Sequence, residues 1–228
     1  YEFETNTAGV MKQSADDYTS VVGINLGGTY SDDYQELSSS RYGNIVAKNL
    51  GDFITKAKAA GGYYIGRYEA GKVSGNENTF NVKKGQEVYN YISQATAANL
   101  ARNLYSNNTN FESDLINSYA WDTAIIFIQT FSGDTDYSKQ SGRNTESKLL
   151  LTGESILESD NKADVRCNIY DMAGNIREWS TETYTGGNMN NVPRGGIGNN
   201  RSAYTAVRHY GYGISLGDFA FRSILYVK

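Results

Sequence analysis

Hydrophobic positions along the 228-residue chain recur with helical spacing in three stretches and with strand-like density in four. In residues 44–59, Ile45, Val46, Leu50, Phe53, Ile54 and Ala57 fall on one face of a 3.6-residue period, which Gly51 weakens. Val88, Ile92, Ala95, Ala97, Leu100 and Leu104 repeat that spacing and predict a helix over 86–104. Residues 115–130 combine Leu115, Ile116, Tyr119 and Trp121 with an apolar run from Ala124 to Ile128, and predict a largely buried helix. Strands are predicted at 21–26, before the Gly27-Gly28 turn, and at 63–70 after the Gly61-Gly62 break. A compact turn leading into a strand is predicted over 168–179, and a last strand over 219–227. The polar stretch 71–84 reads as a loop, and 132–163 as a long excursion with little core. No internal repeat and no linker divides the chain. Residues 1–60 read as an N-terminal extension or the early part of one domain, and 61–228 as its main body.

Composition narrows the function classes. One cysteine, Cys167, excludes an internal disulfide framework and any multi-Cys zinc site, and its expected role is a small semi-buried thiol. A single histidine removes most His-rich metal chemistry. A net charge of −4 argues against nucleic-acid binding. No apolar run approaches 18 residues, so no membrane insertion is expected. The chain opens on Tyr1 without a charged and apolar leader, as a mature or excised segment would. Tyrosine is abundant, 19 against 8 Phe and 2 Trp, and supplies rigid rings with polar tips that suit binding surfaces as well as half-buried strands.

Four segments occur in a telling order: GGYYIGRYEAG (61–71), AWD (120–122), NIYDMAGNIREW (168–179), and RGG (194–196) followed by AFRSILYV (220–227). Together they resemble the formylglycine-generating-enzyme/sulfatase-modifying-factor family, over roughly residues 60–228. The resemblance implies an α+β fold, a variant of the C-type lectin fold, with two helices around twisted antiparallel strands and much coil. Fold alone does not give function, and the family contains oxidases, iron-dependent sulfoxide synthases and non-catalytic binders.

The catalytic branches lack their residues here. The oxidases hold copper with two cysteines after the RGG, and the matching positions are Asn200 and Thr205. The sulfoxide synthases need a histidine cluster for iron, and His209 stands alone. Neither copper nor iron is expected, and no enzyme activity.

Binding remains. Residues 183–217 contain no Asp or Glu, but hold Arg194, Arg201, Arg208 and His209 among Tyr, Asn and Gly, the chemistry of adaptable binding loops. The chain further resembles the variable proteins of diversity-generating retroelements, in which a segment after the RGG is rewritten at adenines between fixed flanks. That resemblance marks 197–218 as a variable segment, with Ile197, Asn199, Asn200, Arg201, Tyr204, His209, Tyr210, Tyr212, Ile214, Leu216 and Asp218 as ligand-contacting residues. The partner it implies is a protein or glycan on a cell surface, and the setting a phage virion or bacterial surface. The alternative is a fixed structural or assembly module, with which a homo-oligomer is compatible.

The family resemblance also implies a calcium site at Asp171, Gly174, Ile176 and Glu178, two carboxylates plus backbone carbonyls being suited to a hard cation. The competing reading is that Asp171 caps its turn while Glu178 pairs with Arg177 or Arg222.

Overall fold

The computed structural model describes residues 34–35, 56–143, 149–184, 191–196, 204–209 and 211–228. The strand expected at 21–26 and most of the helix expected over 44–59 lie outside these residues; a helical turn remains at 56–59. The described chain is α+β, with small, mostly antiparallel sheets.

Strands β1 (Tyr34–Gln35) and β2 (Tyr64–Ile65) come first, then the hairpin β3 (Gly71–Val73) and β4 (Asn76–Asn81). The loop expected over 71–84 is thus a hairpin. The residues of β4 before Phe80 are polar and mostly exposed, so the stretch shows no apolar alternation, and Phe80 drops into the core. Helix α1 (Gln94–Asn103) is shorter than the expected 86–104. Ser93 ends the preceding extended stretch and caps the helix, its hydroxyl accepting from the Thr96 N–H at 3.1 Å. Val88 and Ile92 are buried through isolated bridges to Gly71 and Leu216, not on a helix face. Ala97, Ala98 and Ala101 present a small-residue face and bring α1 close to β5 (Phe111–Leu115). Helix α2 (Ser118–Phe131) starts at an Asn117 cap on the Ala120 N–H, 2.8 Å away, after Leu115 has closed β5.

The excursion 132–163 contributes more core than its polar composition promised. Tyr137 and Leu157 are completely buried against α2, and the Tyr137 hydroxyl donates to Asp164 at 2.8 Å. Two hairpins follow, β6 (Gly142–Arg143) with β7 (Ile156–Leu157) and β8 (Val165–Arg166) with β9 (Ile169–Tyr170).

Strand β10 (Arg177–Tyr184) is the spine of the first sheet. It pairs antiparallel with β11 (Asn191–Arg194) on one edge. On the other it takes β12 (Phe219–Phe221), in parallel, and then β1. Residues within the first 60 are therefore part of this sheet, and Ala57 is in the core. The expected strand 219–227 breaks at Arg222. Its second half, β13 (Ser223–Val227), leaves the sheet and becomes the centre of another, between β2 and β5. Two cores result. Trp121, Ile125 and Ile128 of α2 pack with Ile224 and Tyr226, while the alanines of α1 pack with Leu115, Trp179 and Phe221.

The β6–β7 hairpin lies against the 171–175 turn at a glycine–glycine crossing. A Cβ on Gly142 would fall on the Cα of Gly174, and the Gly142 N–H donates to the Ala173 carbonyl at 2.5 Å. Backbone on both sides leaves nothing flexible to yield. Gly142→Ala is therefore expected to destabilise the fold by about 3 kcal/mol or more, the upper end of overpacking penalties, read as a fall in thermal midpoint; an unchanged midpoint would contradict the crossing.

Candidate functional site

The expected binding segment divides sharply in two. Ile197, Asn199, Asn200, Arg201 and Tyr210 lie outside the described residues. Residues 205–208 are buried scaffold. Thr205 and Ala206 donate their N–H groups to the Gln140 and Ser138 carbonyls, at 2.9 and 3.1 Å, and the Thr205 carbonyl accepts from the Trp121 indole at 3.0 Å. Tyr204 and His209, at either end, are half-buried. The His209 imidazole is pulled down to about 3 by burial and by the Arg177 and Arg194 cations, against a hydrogen bond with the Gly195 backbone, so it is neutral at ordinary pH.

The locally basic character of 183–217 does not reach the surface where it is described. Arg194 and Arg208 are wholly buried between two acids. Arg194 donates to Asp122 at 2.5 Å and to Glu182 at 3.3 Å. Arg208 meets Glu182 at 2.5 Å and Asp122 at 3.3 Å. Composition counted the two cations in this stretch, and missed their acids in α2 and β10. Burial raises the Asp122 carboxyl, and the two guanidiniums oppose that shift.

From Gly211 to Ile214 buried and exposed positions alternate, and 214–216 are all exposed. Gly211 exchanges both backbone hydrogen bonds with Asn191, at 2.8 and 3.1 Å. A Cβ on Gly211 would sit 2.6 Å from the Trp179 ring, and one on Gly213 2.6 Å from the Asn191 amide. The platform beneath is itself bonded: Asn191 donates to Gln94, Gln94 donates to the Ser180 and Glu182 carbonyls at 2.5 and 3.0 Å, and the Trp179 indole donates to Ile92 at 2.9 Å. Outward stand Tyr212 (41% exposed), Ile214 (38%) and Leu216 (40%), with Asp218 also exposed.

Sequence reasoning missed the neighbour of these side chains. Tyr91, 69% exposed, sits at a left-handed φ of 54°. An aromatic residue holds that conformation only where its surroundings impose it. Here the Tyr91 N–H donates to Leu216 at 3.2 Å, the Ser215 hydroxyl donates to the Tyr91 carbonyl, and Asn90 donates to Gly217 at 3.2 Å. Gly217 leaves room for the Tyr91 ring, 3.0 Å from where a Cβ would be. The one sequence signal was Ser93, a cap that removes residues 86–92 from the helix.

Three of the four groups implied for calcium, those of Asp171, Gly174 and Glu178, are otherwise engaged, and the set does not fit that ion. Both Glu178 oxygens accept from Arg222, at 2.6 and 2.9 Å, while Arg222 also donates to the Gly66 and Tyr170 carbonyls at 2.7 and 2.8 Å. Both Asp171 oxygens accept backbone N–H groups, from Gly153 and from Ser155 at 3.1 Å. The Gly174 carbonyl accepts from the Ile176 N–H at 2.9 Å. Among the described residues no group of three or more His, Cys, Asp or Glu side chains is arranged to hold a metal ion.

No family model and no curated protein matches the chain. Among solved structures it is similar to one described as the crystal structure of CarF, with 13% identity, a TM-score of 0.46, and coverage of 100% of this chain and 97% of that one.

The acids around Arg222 outnumber their cation. Burial pushes Asp171 up to about 7 and Asp164 up to about 6; Asp164 raises Asp171 further, while Arg222 and backbone N–H donors oppose both shifts. Both ionise near 3.8 without these surroundings. The folded chain thus holds more protons than the unfolded chain between those values. Their stabilising contribution is full below about pH 4 and is lost as pH rises through 6 and 7. Asp171→Asn, which tolerates a φ of 62°, is expected to flatten the fall in urea midpoint between pH 5 and pH 8 relative to the parent; parallel profiles would refute this.

Proposed function

We propose that the chain is a non-enzymatic ligand- or receptor-binding domain of the C-type-lectin-like kind, working by contact through its 212–218 edge together with Tyr91. The observation that carries this reading is the row of exposed large side chains, Tyr212, Ile214, Leu216 and Tyr91, on a backbone pinned from beneath. Large apolar side chains clustered in solvent are uncommon on a domain without a partner, and rigid Tyr rings lose little entropy on binding.

Support for the fold family comes from the motif residues. Asp122 of the AWD segment bonds Arg194 of the RGG segment, 72 positions away, and Glu178 of the REW segment bonds Arg222 of the final AFR segment. In this reading the motifs serve architecture. The displayed contacts are aromatic and aliphatic with Asp218 at the edge, which favours a protein partner over a glycan. A phage virion or bacterial surface is the setting that the resemblance to retroelement-diversified proteins carries.

Diversification has a sharp signature on this scaffold. Changes at 205–208 would strike buried backbone anchors and the Arg208 ion pairs; changes at 212, 214, 216 and 218 would not. Sequencing the gene's 3′ end across a natural population is expected to find substitutions at codons 212, 214, 216 and 218, confined to adenines of the template, with 205–208 constant. A uniform edge would remove the diversified receptor-binder and leave a fixed binder or an assembly module. Sedimentation of the parent beside a Tyr91→Ser/Tyr212→Ser variant separates those two, because a self-assembly face would dissociate.

A further inference from the structure

A cavity of about 650 Å³ opens between α2, strand β2 and the tip of the β8–β9 hairpin, and shares no residue with the face above. Its walls are apolar: Ile65, Ala124, Phe127 and Ile169. Gly61 and Gly62 leave its mouth clear, with nothing within 4 Å of where a Cβ on either would stand. Lys58 and Arg67 also line it, and among the described residues no Asp or Glu does. On a chain of net charge −4 this is a local reversal of sign. Both cations are exposed, and neither is paired with a carboxylate among the described residues.

The surrounding backbone is firmly held. Arg222 donates to the Gly66 carbonyl at 2.7 Å, and the Arg67 carbonyl accepts from the Tyr170 N–H at 2.9 Å, so Arg67 springs from a backbone fixed on both sides. The Tyr63 hydroxyl donates to the Ala120 carbonyl at 2.7 Å and fixes that ring against α2. The hairpin tip closes the other side through Cys167 and Asn168, both at left-handed φ, 51° and 66°, as a tight two-residue turn requires.

From this geometry we propose that the cavity binds a small organic anion with an apolar body, its acid group on Arg67 and Lys58 and its hydrocarbon along Ile65, Phe127 and Ile169. The volume lies inside the range of ligand pockets, and an apolar chamber with a few convergent polar groups is their usual make-up. The described lining carries two cations and no acid, which selects an anion over a cation. A guanidinium offers two parallel donors to a carboxylate, which makes that head group the natural match.

Calorimetric titration of the full chain with decanoate tests this, with decyltrimethylammonium as the opposite-charge control. Decanoate is expected to bind saturably, and at least about tenfold more tightly than the cation, one such step in affinity being the scale of a single charge-assisted contact. Arg67→Glu is expected to weaken decanoate about tenfold or more. Arg67 is exposed, so the substitution disturbs no core, and a circular-dichroism spectrum checks the fold. Phe127→Asp on the exposed wall of α2 provides a second variant with the same expected loss. Absence of saturable binding, equal affinity for the two detergents, or decanoate affinity unchanged in both folded variants would overturn the proposal.

Discussion

The four buried charges of Asp122, Glu182, Arg194 and Arg208 hold this fold in register. They come from α2, from β10, from β11 and from the stretch that leads into the exposed edge. Each arginine touches both acids, so the cluster is a closed ring of ion pairs rather than two separate bridges. Taking such groups out of water is expensive, and the expense is met only when all four arrive together. Removing one partner from a buried pair typically costs about 3–5 kcal/mol, because the remaining charge is stranded. A misregistered β11 or an undocked 204–209 stretch would strand charges in the same way. Trp121 adds to the fit, with the Arg194 guanidinium 5.8 Å from its ring centre and its indole N–H on Thr205.

The environment of Arg222 solves a different problem. Its chain position is the point where β12 of one sheet becomes β13 of another, and its guanidinium spans that junction to Glu178, Gly66 and Tyr170. One side chain thereby joins the two sheets. Glu69, Asp164 and Asp171 crowd the same interior: burial raises all three carboxyls, Asp171 and Glu178 raise Glu69 further, and Asp164 raises Asp171 further. Their excess is absorbed by N–H donors, by the Tyr137 hydroxyl, by the Asn175 amide on Glu69, and by protonation. The turn that the family resemblance assigns to a metal is here satisfied by an arginine and by backbone.

What was legible in the sequence follows what is local. Helix α2 was visible because its buried face is long and apolar and its cap is polar. The α+β class came from the family resemblance of four separated motifs, and the small, mostly antiparallel sheets agree with it. The start of α1 was misread because Val88 and Ile92 happen to fall on the helical period while their burial comes from bridges to distant strands. The β3–β4 hairpin was invisible because its exposed residues are polar on both faces. The 132–163 stretch read as having little core because Tyr137 and Leu157 stand isolated among polar residues, and single buried side chains such as these anchor it to the core without leaving a periodic pattern. Arg194 and Arg208 misled most. A cation's partner can lie 72 or more residues away, so charge counted along a window says nothing about charge at the surface.

The same separation of partners explains how an irregular edge can be rigid. Residues 211–217 have no strand of their own, yet their backbone groups are taken up by Asn191, by Gln94 and by the 90–92 segment. The main-chain groups of Asn191 and Gln94, at the start of β11 and the start of α1, bond the Gly211 and Gly213 backbone, while their buried side-chain amides bond each other beneath it. Glycine at 211 and 213 is required on the inner side, because Trp179 and Asn191 leave no space for a Cβ. The backbone bonds that fix the edge therefore come from Asn191, Gln94 and the 90–92 segment, and the exposed side chains of Ile214 and Leu216 stand on a backbone that those partners hold.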